Sequence, residues 1–491
     1  MENFIFGLHV AIQPINLLCC FIGVTLGTIV GVLPGLGPVG AISILLPFIF
    51  SAVPPTAAII MFAGIYYGAM YGGSTTSILI NVPGEAASVM TCLDGYAMAR
   101  KGRAGPALGI SAMGSFFAGT IGTIGLMLVA PPLAAFALRF GPPEYFSLMI
   151  LALMLLAYMS PGSMPKSIMM GVAGLLIGSI GMDLVTGIQR FTFRISTLSD
   201  GVGLVPTIMG LFGIAEVLDN CVKTNEQSIY LAHIKGLLPN WDDWKRSIGP
   251  IFRGSIIGFL LGILPGGGAV VSTFVSYGVE RKISKHPEEF GKGAIEGVAG
   301  PESANNAATS GAMIPMFALG IPANALVALL LGVLLLYGLQ PGPLLIKNNP
   351  EIFWGTIASM YMGNALLLVL NLPLIGVWVR ILKTPPSMLF PLVLLFCIIG
   401  VYSINSNPVE IYIMLFFGVL GFLMKKYDYP AAPMVLGLIL SPLLEDSFRQ
   451  SLLLSHGDFR IFFTRPISAT LLIAFLLILF ISLFKRPTAK L

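Results

Sequence analysis

The stretch Gly31–Gly37 reads GVLPGLG, and Gly262–Gly268 reads GILPGGG. A second pair of motifs follows in the same order, NVPGEA at Asn81–Ala86 and GIPANA at Gly320–Ala325. The first pair is separated by 231 residues (262 minus 31) and the second by 239 residues (322 minus 83). Two motifs in one order at nearly equal spacing indicate that the chain consists of two related halves.

Composition places both halves in a membrane. Of the 491 residues, 56% are hydrophobic and 10% are charged, with a mean hydropathy of +0.90, whereas soluble domains carry roughly 25% charged residues. No Asp, Glu, Lys or Arg occurs from Asn3 to Gly84 or from Ser303 to Ile346. The sequence therefore predicts an all-α polytopic membrane protein with about 11–14 membrane elements, including re-entrant or broken hairpins.

The distribution of charge predicts how the halves are arranged. A hydrophilic stretch, 221–246, separates an N-terminal membrane repeat (1–220) from a C-terminal membrane repeat with additional spans (247–491). Basic residues follow the second motif in the first half, within 100–103, but precede it in the second half, within 281–292. Because basic loops are mostly cytoplasmic, we expect two inverted-topology repeats, a recurrent design of secondary transporters.

Proline and glycine interrupt the apolar runs at both pairs of motifs. Proline removes a helical hydrogen-bond donor, and glycine lets the chain turn or approach a ligand closely. Inside a bilayer, such breaks occur where protein or a water-filled cavity satisfies the freed backbone groups. The alternative is that the motifs form ordinary turns between spans at the membrane surface.

Polar side chains cluster beside these breaks and form the predicted substrate site, although such groups also serve as contacts between helices. Since neither hairpin contains Lys or Arg, an anionic substrate would be held by helix N-termini, backbone N–H groups and neutral donors. On the offset of 239, Tyr66 aligns with Asn305, so the two halves would differ chemically. The predicted substrate-binding residues are Gly35, Gly37, Gly73, Ser74, Thr75, Ser77, Asn81, Pro83, Gly84, Gly266, Gly267, Asn305, Asn306, Thr309, Pro322 and Asn324.

Acidic residues within or near apolar runs are candidates for ion or proton coupling. They are Glu85, Glu302, Asp183 and Glu216, each of which could alternatively lie at a helix end and face water. Unwound carbonyls and side-chain oxygens could also coordinate sodium. We place this candidate sodium site near Gly35, Ser74, Gly267 and Asn305. No cofactor other than the coupling cation, sodium or proton, is expected.

Sequence motifs typical of enzymes are absent. The four histidines form no HExxH motif, and the chain has no GxSxG, P-loop or dinucleotide-binding glycine pattern. We therefore expect no enzymatic activity, and the chain gives no indication of nucleic-acid binding. The alternatives to a transporter are a multispanning intramembrane enzyme without these motifs, a channel, or a structural or signalling membrane protein whose polar hairpins bind partner helices.

Several longer stretches follow one another along nearly the whole chain. They are GVLPGLGP at Gly31–Pro38, YYGAMYGGSTTSILINVPGEAAS at Tyr66–Ser88, DGYAMARKGRAGPALG at Asp94–Gly109, GLFGIAEVL at Gly210–Leu218, GILPGGGA at Gly262–Ala269, GPESANNAATSGAMIPMFALGIP at Gly300–Pro322 and LEDSFRQSLLLSHGD at Leu444–Asp458. Together these stretches resemble the TctA family, the large membrane subunit of the tripartite tricarboxylate transporters.

The resemblance implies a multi-pass subunit of a binding-protein-dependent secondary transporter in the bacterial inner (cytoplasmic) membrane. It implies two partners, a small four-span membrane subunit and a periplasmic solute-binding protein that delivers a carboxylate such as citrate. A sodium or proton gradient would drive import. We add the hypothesis that the hairpin-bearing part moves like an elevator. The sequence leaves open which carboxylate is carried, which ion is coupled and whether the chain forms a homo-oligomer.

Overall fold

A computed structural model describes residues 2–33, 37–160, 163–183, 186–222, 234, 236–266, 268–382 and 386–484. Nearly all of the described chain is helical. The first half contains α1 (Glu2–Ala11), α2 (Pro14–Val32), α3 (Pro38–Ala52), α4 (Pro55–Ile80), α5 (Val89–Thr91), α6 (Ala97–Arg100), α7 (Ala104–Ala137), α8 (Pro142–Met159), α9 (Met164–Gly178), α10 (Leu204–Ile208) and α11 (Ala215–Val222).

The first helix after the hydrophilic stretch begins at Trp241, where Asn240 and Asp243 form reciprocal caps. It contains α12 (Trp241–Gly262), α13 (Gly268–Ile283), α14 (Glu296–Leu319), α15 (Ala325–Leu336), α16 (Pro343–Asn348) and α17 (Pro350–Asn371). Further C-terminal helices are α18 (Ile375–Ile381), α19 (Pro386–Asn405), α20 (Pro408–Lys426), α21 (Ala431–Leu454), α22 (Ile461–Thr464) and α23 (Pro466–Phe484).

Shorter elements complete the described chain. Single 3-10 turns lie at Ala86–Ser88, Ser196–Asp200 and Pro287–Glu289, and π-helical turns lie at Cys92–Tyr96 and Met209–Ile214. Two strands of two residues each, β1 (Gly181–Met182) and β2 (Gln189–Arg190), pair antiparallel.

Seven described helices are long and apolar enough to cross a membrane: α2, α7, α8, the continuous segment Leu204–Val222, α17, α20 and α21. Five shorter helices are also apolar, namely α3, α9, α15 and most of α19 and α23. The prediction of an all-α polytopic membrane protein is confirmed. The long helices α4 and α14 are not among the seven, and these two helices carry the polar side chains on which the predicted site rests.

In the first half, α2 and α4 pack in parallel through glycine. A Cβ atom added at Gly23, Gly27 or Gly31 would overlap the backbone of Met61, Ile65 or Ala69, respectively. Small residues allow helix backbones to approach closely, and such stripes are common between membrane helices. The glycines therefore hold α4 tightly against α2.

The second half repeats this packing between α12 and α14. Gly254, Gly258 and Gly262 lie against the backbone of Gly300, Ala304 and Ala308 in the same order. The α12 glycines follow those of α2 by 231 residues (254 minus 23), and their partners follow those on α4 by 239 (300 minus 61). These are the two offsets of the sequence motifs, so the internal repeat extends to helix packing.

The helices α4 and α14 run in opposite directions. After α4, Asp94 accepts hydrogen bonds from the backbone N–H groups of Gly293 (2.7 Å) and Ala294 (2.8 Å), which precede α14. Beyond the end of α15, the Tyr337 hydroxyl donates to the carbonyl oxygen of Val53 (2.9 Å), which precedes α4. We call Pro55–Thr91 (α4 to α5) the first hairpin and Glu296–Leu336 (α14 to α15) the second, with α4 and α14 as their hairpin helices. The chain leaving each hairpin thus meets the start of the other half's hairpin helix.

The two halves also exchange a helix, in the sense that one helix of each half packs mainly against helices of the other half. In the first half α7 packs on α14 and α12 of the second, and Asn306 on α14 donates to the Ser115 hydroxyl on α7 (2.7 Å). In the second half α17 packs on α4 and α2 of the first, where the Tyr71 hydroxyl donates to Asn364 (2.6 Å). The C-terminal helices α20, α21 and α23 pack on α8 to α11.

Candidate functional site

Each hairpin helix is broken at the place that the sequence predicts. The helix α4 is followed by Asn81 and α14 by Gly320, which both have left-handed backbones (φ of 59° and 72°). Asn81 and Gly320 are 239 residues apart (320 minus 81). Pro83 and Pro322 lie in the non-helical links that follow. Both helices therefore end at the positions where the sequence predicts a break.

Polar side chains cap the segments that resume after the two breaks. The Glu85 carboxylate accepts a hydrogen bond from the backbone N–H of Ala87 (2.7 Å) and caps the turn Ala86–Ser88. The Asn324 side-chain oxygen accepts one from the backbone N–H of Val327 (3.0 Å) and caps α15. Glu85 and Asn324 are again 239 residues apart (324 minus 85) and occupy equivalent positions.

The same two caps join the halves through a pair of crossing hydrogen bonds. Asn324 donates to the hydroxyl of Tyr66 in the middle of α4 (3.0 Å). Asn305, within α14, donates to the Glu85 carboxylate (3.0 Å). Since Tyr66 and Asn305 also differ by 239 residues (305 minus 66), the two bonds are equivalent contacts of the two halves. Each break lies beside the middle of the opposite hairpin helix.

A buried polar cluster lies on one side of these contacts, and it contains Ser74, Glu85, Thr91, Glu302 and Asn305. Glu302 is fully buried, and its carboxylate accepts hydrogen bonds from the hydroxyls of Ser74 and Thr91. Within the described ranges, neither Glu85 nor Glu302 forms an ion pair. The Asn305 side-chain oxygen is buried without a hydrogen-bond partner. Buried carboxylates that lack a cationic partner are costly inside a membrane protein.

A cavity of about 380 Å³ lies on the other side of the crossing bonds, between the two halves. Three helices begin at its wall: α3 at Pro38, α13 at Gly268 and α15 at Ala325. The turn at Ala86 begins there as well. The described residues that line it are Gly37, Pro38, Val39, Gly40, Tyr66, Met70, Glu85, Ala86, Phe212, Glu216, Gly266, Gly268, Ala269, Val270, Asn324, Ala325 and Leu326.

The electrostatic character of this cavity follows from those helix starts. The first N–H groups of a helix have no partner within the helix, and the helix dipole makes that end partially positive. Several helix starts around one cavity therefore suit an anion. The charged side chains among the described lining residues are Glu85 and Glu216, and Glu216 forms an ion pair with Lys425 (2.5 Å).

Part of the predicted substrate set meets at this cavity or beside it. Gly37, Gly266 and Asn324 line it, and Ser74 and Asn305 belong to the adjacent polar cluster.

Three further predicted residues build the first hairpin. A Cβ added at Gly84 would overlap the Gly31 carbonyl oxygen, and one added at Gly73 would lie 2.9 Å from the Glu85 Cγ atom. The Ser77 hydroxyl donates to the Ser88 hydroxyl (2.9 Å). Gly73, Ser77 and Gly84 therefore position Glu85.

Other predicted substrate residues lie away from the cavity. Asn306 contacts Ser115, the Thr309 hydroxyl donates to the Asn306 carbonyl oxygen of its own helix (2.6 Å), and Thr75 is buried within α4. The Asn306 side chain thus connects two helices, which is the alternative role expected for polar groups in a membrane. Asn81 and Pro83 are exposed, and Pro322 is buried without lining the cavity. Gly35 and Gly267 lie outside the described residues.

Asp183 is not brought together with the hairpins. Its carboxylate forms two hydrogen bonds with Arg449 on α21 (3.0 and 2.6 Å) and lies 4.0 Å from Arg190. These residues line a separate cavity of about 490 Å³, together with Glu445. Asp183 itself is buried, and its carboxylate is surrounded by these ion-pair partners and not by the hairpins.

Several site residues were not in the predicted set. Tyr66 could have been selected, because the offset of 239 aligns it with Asn305. Met70 and Phe212 line the cavity, and Thr91 completes the polar cluster, but none of them belongs to either repeated motif. Their positions follow from the packing of α4, the π-helical turn Met209–Ile214 and the first hairpin, for which the sequence carries no local signal.

Comparisons with known proteins identify one matching family and two uncharacterised relatives. The model of the family described as "Tripartite tricarboxylate transporter TctA family" matches residues 17–436. The chain is 50% identical over 490 residues to an "Uncharacterized 52.8 kDa protein in TAR-I ttuC' 3'region" of Agrobacterium vitis, covering 100% of this chain and 97% of that protein. It is 53% identical over 215 residues to an "Uncharacterized protein in TAR-II ttuC' 3'region" of the same organism, covering 44% and 89%. No solved structure shows significant similarity.

Proposed function

Since the chain belongs to the tripartite tricarboxylate transporter TctA family, we propose that it is the permease subunit of a secondary transporter that imports carboxylates, such as citrate or a related organic acid. A sodium or proton gradient drives import across the inner membrane of a bacterium. A small four-span membrane subunit and a periplasmic solute-binding protein complete the transporter. The observation that carries this proposal is the convergence of helix starts on one cavity between the halves.

The cavity suits a small anion that must be released again. Its volume of about 380 Å³ lies within the range of small-molecule sites, roughly 300–1,000 Å³. Backbone N–H groups and the Asn324 amide supply donors, and no Lys, Arg or His is among the described lining residues. A site without a cationic side chain binds a carboxylate more weakly than an arginine clamp does. Weaker binding favours turnover.

The buried polar cluster is the proposed site of the coupling cation. The carboxylates of Glu85 and Glu302, the Ser74 hydroxyl and the Asn305 side-chain oxygen offer the oxygen ligands that hard cations prefer. The same carboxylates could instead accept a proton. Asp183, whose carboxylate is engaged by Arg449, has no part in this proposal.

We propose that the halves are inverted repeats and that their hairpins move together. The shared offsets, the opposite directions of α4 and α14 and the equivalent crossing bonds support this arrangement. The basic segments near residues 100 and 290 meet at one end, as contacts of Asp94 indicate, which supports a common cytoplasmic face. Crosslinking the hairpins to the remaining spans should abolish transport; unimpaired transport would contradict the elevator-like motion.

Uptake by the reconstituted three-component transporter tests the proposed function. Proteoliposomes should accumulate radiolabelled citrate or another organic acid from a panel when a sodium or pH gradient is imposed, each varied separately. Ser74→Ala and Asn305→Ala should strongly lower uptake, whereas Thr309→Val, whose hydroxyl bonds its own helix, should remain near wild type. Normal uptake in both alanine variants would remove these residues from the site. Absence of any solute uptake would favour a structural or signalling role for the hairpins.

A further inference from the structure

We infer that Glu85 makes carboxylate binding in the cavity conditional on prior binding of a monovalent cation, either sodium or a proton. The inference rests on the proposed function and assigns the coupling step to one side chain. Glu85 lines the cavity and also receives the hydrogen bond from Asn305 in the buried polar cluster. Ser74, Thr91, Glu302 and Asn305, the other members of that cluster, do not line the cavity. Glu85 is therefore the link between the proposed cation and substrate sites.

The comparison with Asn324 separates the charge of Glu85 from its structural tasks. Both residues cap the segment that resumes after a break, and both form the crossing hydrogen bond with the opposite hairpin helix. A neutral amide performs both tasks in the second half. The negative charge at Glu85 is thus not needed for capping or for the crossing bond, which points to a separate use.

The charged and titratable side chains near Glu85 provide no ion-pair partner for its carboxylate within the described residues. Glu302 on α14 lies in the same cluster and is also acidic, and Glu216 on α11 lines the same cavity, where Lys425 pairs with it. On α4 the Tyr66 hydroxyl accepts the bond from Asn324. No basic side chain forms an ion pair with Glu85 in the described part of the chain. Glu85 is buried, with 9% of the residue's surface exposed. The side-chain oxygen of Asn305, which has no hydrogen-bond partner, is a further potential cation ligand.

An ionised Glu85 would repel a carboxylate that occupies the cavity. At an effective dielectric constant of about 25, the repulsion between two unit charges about 5 Å apart weakens binding by roughly 100-fold. Neutralisation of Glu85 by a proton, or by sodium held between Glu85 and the Asn305 oxygen, removes that repulsion. The order of events follows: the cation binds first and the carboxylate second, and loss of the cation on the far side expels the carboxylate.

Equilibrium binding of citrate and succinate to the purified full-length chain tests this inference. Sodium is varied against choline at pH 8, and pH is varied from about 5.5 to 8.5 in choline, which distinguishes the two cations. For the wild type, the dissociation constant should fall by roughly 100-fold with one of them. Glu85→Gln should bind without either cation and show little dependence on both. The matched variant Asn324→Asp, which places a second acid at the equivalent cap, should weaken binding at low cation concentration.

The outcomes distinguish this inference from the proposed function. A wild-type dissociation constant that is the same with and without sodium and at every pH would overturn the inference and leave carboxylate transport intact. A Glu85→Gln variant that keeps the wild-type cation dependence would also overturn it. If the wild type binds no carboxylate under any condition, the proposed function itself fails. If Glu85→Gln does not fold, a cation-independent wild type still overturns the inference, and unchanged binding by Asn324→Asp at low cation concentration counts against repulsion by an acid at the cavity.

Discussion

Replacing Gly258 with alanine should force α12 and α14 apart. An added Cβ at this position would overlap the Ala304 carbonyl oxygen and lie 2.7 Å from the Ala304 Cα atom. Carbon atoms in contact prefer separations of about 3.5–4.0 Å, so the two helices must separate locally by roughly 1 Å. Overpacking of this kind typically costs about 1–3 kcal/mol. Because contacts at Gly254 and Gly262 would loosen as well, we expect a loss near the upper end of that range.

Equilibrium unfolding in mixed micelles, titrated with a denaturing detergent and followed by circular dichroism, measures this loss. The matched control is Gly278→Ala on α13, where an added Cβ meets no atom within 4 Å. There alanine should stabilise the helix by about 0.5–1 kcal/mol. Uptake of whichever organic acid the reconstituted transporter accumulates should also fall in Gly258→Ala, since α14 carries Asn305 and Glu302. Equal stability of the two variants would refute the tight helix contact.

Two further predictions concern the crossing hydrogen bonds and the ion-pair cluster. Tyr66→Phe removes the hydroxyl that accepts a hydrogen bond from Asn324, so we expect about 1 kcal/mol lower stability and reduced uptake. The control is Tyr361→Phe, which keeps its edge contact with Phe4. Equal uptake in both variants would contradict this expectation. Asp183→Asn should lower the thermal stability because it disrupts the bonds with Arg449, yet leave the dependence of uptake on sodium and pH unchanged. A lost cation dependence would instead make Asp183 a coupling residue.

The repeated parts of the structure could be predicted from the sequence. The proline and glycine motifs alone predict both helix breaks, and the offset of 239 alone pairs Tyr66 with Asn305. Each of these features depends on a short motif that occurs once in each half, so comparing the two copies is enough to find it. The glycine stripes at Gly23–Gly31 and Gly254–Gly262 are equally visible in the sequence, although which helix they contact is not.

Contacts between distant, unrepeated segments could not be predicted. Glu302 accepts from Thr91, which lies 211 residues away, and Asp183 pairs with Arg449, 266 residues away. Such pairs depend on how helices assemble in three dimensions, and neither partner belongs to a pattern that points to the other. Adjacent amides posed a similar problem, because Asn305 and Asn306 lie on one helix but their side chains contact different neighbours.

The exchange of α7 and α17 between the halves has a consequence for biogenesis. The surface of α4 that bears Tyr71 is covered by Asn364, which is synthesised 293 residues later. During translation, the first hairpin helix must therefore remain in the lipid or beside the insertion machinery with this polar face uncovered. The buried contact of Tyr71 is therefore completed only after α17 has left the ribosome.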